Sequence, residues 1–185
     1  MPKKNYQGCL LVANPNNPKD ELSKSVILLV SHNPTKSIGI QINNPVADFD
    51  LQTVSNNIGI DFVGNDPLWY GGSIGSNKIH VVHSNDWAGL STIKINDELS
   101  ITHDISVLAA LSRGEGPSQF RACAGYWGWE AGELDLQLDP KHAAHASHTW
   151  ETVEATLSNV FEGEGPDQWR KVIEESTKNQ VNNYF

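Results

Sequence analysis

Residues 121–134 read RACAGYWGWEAGEL, with Tyr126, Trp127 and Trp129 set among glycines between the runs FRACA and ELDLQL. Both flanking runs alternate small or apolar residues with polar ones, the period of a strand; Leu134, Leu136 and Leu138 share one face of the second. The intervening residues are then expected at a turn. Gly125, Gly128 and Gly132 permit positive φ and close backbone approach there. Two uses of the rings compete: walls of a ligand cleft, or a corner whose indole plugs the end of the core and donates its N–H to a carbonyl. Corner packing is expected of Trp129. Trp127 is expected at the surface, where it would contact a partner.

Working outward, residues 8–13 (GCLLVA) form a short apolar strand ended by the turn-forming NPNNP. Residues 25–30 (SVILLV) are apolar on both faces, as in a central strand covered on both sides. In SIGIQIN, Ile38, Ile40 and Ile42 point one way and Gly39, Gln41 and Asn43 the other. Asp50 suits the N-cap of a short helix with Leu51, Val54 and Ile58 inward and Gly59 closing it. PLWYGG and KIHVVHS read as strands separated by a flexible GSIGSN. LSIT is extended; Asp104 then caps a helix whose stripe is Ile105, Leu108, Ala109 and Leu111, ended by Gly114. Near the C-terminus, Trp150, Val153, Leu157 and Phe161 fit a helix by spacing, although TWETV equally fits a strand. EGPDQWRKVIEES is a helix with Pro166 at its first position, and KNQVNNYF is expected to fray.

The chain of 185 residues suits one domain, and 38% hydrophobic with 19% charged residues suits a globular one. Thirteen basic against 22 acidic residues give a formal charge of −9. That field repels phosphate backbones and anionic membranes, so direct DNA binding is disfavoured and membrane association is not expected. The apolar run CLLVA is too short for a signal peptide or a membrane span, which points to the cytoplasm. Cys9 and Cys123 are read as reduced thiols, with no zinc-site spacing.

Four segments together resemble the bacterial YqgE/AlgH family: GCLLVANPN with SVILLVSHNP, IGIQINNP, YGGSIGSNKIHVVHS, and RACAGYWGWEAGEL. The resemblance spans most of residues 6–175. It implies a single compact α+β domain over residues 1–185, with a mixed, partly barrel-like sheet flanked by helices. It also implies that WETVEATLSNVF enters as a strand and passes through a turn. One namesake is described as a regulator of exopolysaccharide genes. The resemblance therefore implies a non-catalytic regulator or binding protein acting through a protein or small-molecule partner, with no cofactor. Lys36, Trp127, Glu130 and an insertion carrying HAAHASH depart from the family pattern.

The alternative is a hydrolase or transferase. His32, Asn43 and His83 sit at or just beyond predicted strand ends. Gathered at one rim with the backbone amides of Gly71 and Gly72, they would form a polar cleft able to hold an oxyanion or to position a proton donor. The plainer role is hydrogen bonding that fixes the strand exits. His142, His145 and His148 have i, i+3, i+6 spacing, but on a helix the outer pair diverges by about 120°. An exposed loop with adventitious metal affinity is expected there. Cys123 has only Arg121 nearby to activate it, so a buried inert thiol is expected. SRGEGPSQF lacks the Lys-Ser/Thr of a phosphate loop.

Overall fold

The computed structural model describes residues 4–182. The aromatic segment lies inside a strand rather than at a turn. β9 (Phe120–Glu130) runs unbroken through Gly125, Tyr126, Trp127, Gly128 and Trp129, and only Ala131 and Gly132 turn the chain. β9 is the hub of the sheet. Its last four residues pair antiparallel with β3 (Lys36–Gln41), and its first half pairs antiparallel with β6 (Ile74–Ser84) and parallel with β5 (Pro67–Tyr70). The change of partner falls at Gly125, whose φ of 76° only glycine adopts without strain. A side chain at Gly71 would strike the Gly125 carbonyl and one at Gly125 the Gly72 carbonyl, so the Gly71 and Gly72 corner lies directly on the β9 backbone.

The remaining strands are β1 (Cys9–Ala13), β2 (Val26–Asn33), β4 (Pro45–Asp50), β7 (Ile93–Lys94), β8 (Leu99–Thr102) and β10 (Trp150–Glu154). They complete a curled sheet of ten strands with the continuous path β10-β1-β2-β3-β9-β6-β8-β7, while β4 joins through β5. The sequence of β2 explains its central place. Val26 and Leu28 enter one core cluster, and Ile27 and Leu29 enter another on the opposite face. All four are fully buried, each worth about 1.5–3 kcal/mol of transfer free energy. Gly39 of β3 leaves room for Ile27 and Trp129, so the face of β3 opposite Ile40 is covered too.

Helices close the faces. α1 (Leu51–Asn57) is capped by Asp50, which accepts the Thr53 N–H at 2.7 Å. α2 (Ser106–Ser112) follows Asp104, which accepts the Ser106 N–H at 2.8 Å. Both helices cover the cluster over β5, β6 and β9. α4 (Leu157–Phe161) and α5 (Gly165–Asn182) pack against the inner cluster through Val160, Val172 and Trp169. A capping box between Thr156 and Asn159 starts α4, so this segment enters as a strand as expected and then forms a short helix where a turn was expected.

Three local expectations differ. ELDLQL is α3 (Glu133–Leu138), not a strand. Leucines at i, i+2 and i+4 satisfy a strand face, but i and i+4 also share a helix face, and here Leu134 is buried while Leu136 is 53% exposed. Ile74 to Asn77 of the supposed flexible GSIGSN belong to β6, with a register shift between Ile74 and Ile79. The tail stays helical to Asn182, and residues 183–185 lie outside the described residues.

Candidate functional site

The predicted polar cleft does not assemble. His32 pairs with Ser37, which pairs with Trp129 of β9; His83 pairs with Phe120 at the other end of β9. At ~3.3 Å per residue the nine-residue offset is roughly 30 Å. Each imidazole has local partners. His32 Nδ1 meets Ser37 Oγ at 2.9 Å, its Nε2 lies 3.5 Å from Asp135, and Tyr6 packs edge-on. His83 is fully buried. Its Nδ1–H donates to the Ser84 carbonyl at 2.8 Å, which leaves Nε2 to accept the Thr102 hydroxyl at 2.9 Å. Burial pushes the His83 pKa down.

Asn43 is a clamp. Its Oδ1 accepts the Val26 N–H, and its Nδ2 donates to the carbonyls of Lys24 and Gly165, each at 2.9 Å. Gly71 donates to the Ala124 carbonyl at 2.7 Å and accepts from Gln41 at 2.9 Å. The glycines therefore serve backbone packing, and the residues assigned to a hydrolase or transferase are distributed along the sheet.

In the aromatic segment, Trp129 is buried as expected of a plug. Its indole N–H donates to Gln137 Oε1 at 3.1 Å, and Trp150 donates to the same oxygen at 2.7 Å. Trp127 is half-buried, not a free surface ring. It donates to Gln41 Oε1 at 3.2 Å and packs edge-on against Tyr70. The buried Gln41 amide supplies the acceptor that holds it in.

Only residues 143–145 of the histidine-bearing insertion form a turn of 3-10 helix. His142 bonds Asp139 and His148 bonds Asp20, each at 2.9 Å, and His148 stacks on Trp150. These side chains staple loops rather than sharing a ligand. Cys123 is fully buried, and burial pushes its thiol up to about 12, leaving it un-ionised and inert near neutral pH.

Two hollows were not anticipated. The first, of about 730 Å³, lies between α1, α2 and the sheet. Its walls include Val54, Leu68, Val81 and Leu108, and its mouth carries Phe49, Ile58 and Ile105, which are 53%, 48% and 61% exposed. Ile58 and Ile105 are the residues expected to complete the inward stripes of α1 and α2. Both helices leave that end of their stripe open. The signal was present in the sequence as two stripes wider than such short helices can bury. Among the described residues no groups of three or more His, Cys, Asp or Glu side chains are placed to hold a metal ion.

The second hollow is a cleft beside Arg121, a residue considered from sequence only as a neighbour of Cys123. Alternation puts Arg121 and Cys123 on one inward face of β9, which is the signal that this cation is buried.

The comparisons with known proteins agree on one relationship. A family model described as AlgH-like matches residues 10–180. A UPF0301 protein of Aliivibrio fischeri strain MJ11 is 32% identical over 178 residues, covering 92% of this chain and 91% of its own. A UPF0301 protein of Methylococcus capsulatus is 32% identical over 168 residues, with 90% and 88% covered. Among solved structures, the AlgH protein from Pseudomonas aeruginosa superposes with a TM-score of 0.76 at 24% identity, covering 96% of this chain and 93% of its own. A protein from Corynebacterium diphtheriae gives 0.72 at 19% identity, with 95% and 89% covered. At those identities the two structures speak for the fold alone.

Proposed function

The chain belongs to the AlgH-like family, and on that premise we propose that it is a non-catalytic binding protein, a regulator that acts through a partner. The observation that carries this is the apolar cavity between α1, α2 and the sheet. Cavities of ~300–1,000 Å³ lined mainly by apolar side chains are the usual form of a ligand site. This one has that size and a mainly apolar lining. Ser76, His80 and His103 also line it, and Nε2 of His80 is buried without a hydrogen-bond partner, so Ser76 is not paired with it as nucleophile and base. Exposed Phe49, Ile58 and Ile105 at the mouth would lose water on contact with an apolar group. A regulatory role in transcription would run through a protein partner, because the charge of −9 opposes duplex binding.

The test uses the fluorescent probe 1-anilinonaphthalene-8-sulfonate with the full chain and its Ile105→Glu and Ile58→Glu variants. Both positions are exposed, so thermal stability should be unchanged within about 0.5 kcal/mol. Probe affinity should fall by about tenfold in each variant. Unaltered affinity in both would remove the cavity as the binding site.

A further inference from the structure

The cleft beside Arg121 has a volume of about 600 Å³ and is bounded by residues 66–69, residues 118–122 and α4. Its lining includes a charged side chain that is 4% exposed, Arg121. The guanidinium lies 3.9 Å from the Trp69 ring centroid, a cation–π contact. Nη1 donates to the Ile42 carbonyl at 2.5 Å and to Gln168 Oε1 at 2.9 Å; Nη2 donates to the Gly163 carbonyl at 2.6 Å. All three acceptors are neutral. A guanidinium has five N–H donors, so Nε–H and one Nη2–H remain without a protein acceptor. Burial lowers the Arg121 pKa to about 10, which still leaves it protonated at neutral pH.

The Glu164 carboxylate acts on this cation through space but takes none of its hydrogen bonds. A buried cation with spare donors attracts an anion more strongly than an exposed one does, because little water screens it. The rest of the lining narrows the choice. Asp66 and Glu162 place two carboxylates on the same cleft, which oppose a multiply charged anion and favour a cation some distance from the guanidinium. Leu157 and Phe161, both partly buried against the inner cluster, form an apolar wall.

We propose that this cleft binds a zwitterionic small molecule of the α-amino-acid type with an apolar side chain. Its carboxylate takes the spare N–H donors of Arg121, its ammonium group faces Asp66 and Glu162, and its side chain rests on Leu157 and Phe161. The site is separate from the apolar cavity, so each can fail without the other.

The test is a set of NMR titrations of the full chain with L-phenylalanine, with 3-phenylpropanoate, which lacks the ammonium group, with 2-phenylethylamine, which lacks the carboxylate, and with inorganic phosphate. L-Phenylalanine should shift the Trp69 indole and Phe161 amide signals and bind about tenfold tighter than either truncated analogue. Glu162→Gln, at an exposed position, should cut its advantage over 3-phenylpropanoate by about threefold while leaving the melting curve unchanged. Arg121→Lys should abolish the shifts if it folds; the ligand series decides the matter if it does not. Equal binding of all three organic probes, preferential binding of phosphate, shifts confined to other surfaces, or no shifts at all would overturn the proposal.

Discussion

His80 shows how a residue's fold role differs from its apparent chemistry. Its Nε2 is buried without a hydrogen-bond partner, the Tyr126 ring packs edge-on against it, and His103 is its neighbour at 6.5 Å between ring centroids. Burial, then His103, then Lys78 lower its pKa below the ordinary 6.5, and His83 is lowered mainly by burial. In the unfolded chain both imidazoles take up protons nearer 6.5, so below that value the unfolded state binds more protons and stability falls with pH. The stability that depends on their being neutral is present above about 6.5 and is lost as pH drops towards the lower folded values. Urea melts across this window should show that decline, and His80→Phe should flatten it. An unchanged slope in the variant would assign the decline to other groups. The carboxylates of Asp50, which caps α1, and of Asp104, which precedes the Ile105 N-cap of α2 and accepts the Ser106 N–H, are held low by their hydrogen bonds, so their contribution is lost only as pH falls below about 3.8.

Among the elements, α3 is where hydrophobic period was ambiguous. As a strand, ELDLQL would bury Leu134, Leu136 and Leu138 alike. As a helix it buries Leu134, half-buries Leu138 and turns Leu136 to solvent. The helix also delivers Gln137, whose one carbonyl oxygen accepts both the Trp129 and Trp150 indoles and ties β9 to β10. Leu134→Ala should therefore cost about 2–5 kcal/mol through the cavity it leaves, whereas Leu136→Ala should stay within about 0.5 kcal/mol. Equal costs in chemical denaturation would contradict the helix.

For the whole molecule, the uneven use of the sheet governs what it can do. The inner cluster is covered by α4 and α5 except at the cleft beside Arg121, one outer patch is sealed by α3 and the paired tryptophans, and the patch under α1 and α2 is left incompletely filled with an apolar lining. The proposed binding role rests on that opening. No helix among the described residues is long and apolar enough to cross a membrane. With a formal charge of −9, the isolated chain should give no gel shift with duplex DNA at low salt. A shift that weakens steeply as salt rises would show direct duplex contact and replace the partner-mediated reading.

The sequence by itself determined several of the extended segments, the two-sided burial of β2, the cap at Asp50 and, through its short motifs, the family. These are local properties: side-chain period and capping chemistry act within a few residues. Only the tertiary structure decided that Trp127 turns inward to Gln41, that α1 and α2 leave Ile58 and Ile105 uncovered, and that the buried Arg121 donates its hydrogen bonds to neutral oxygens. It also separated His32 from His83. Strand register is fixed by pairing between residues far apart in the chain, and a motif states which face a side chain occupies without stating how far along the sheet it lies.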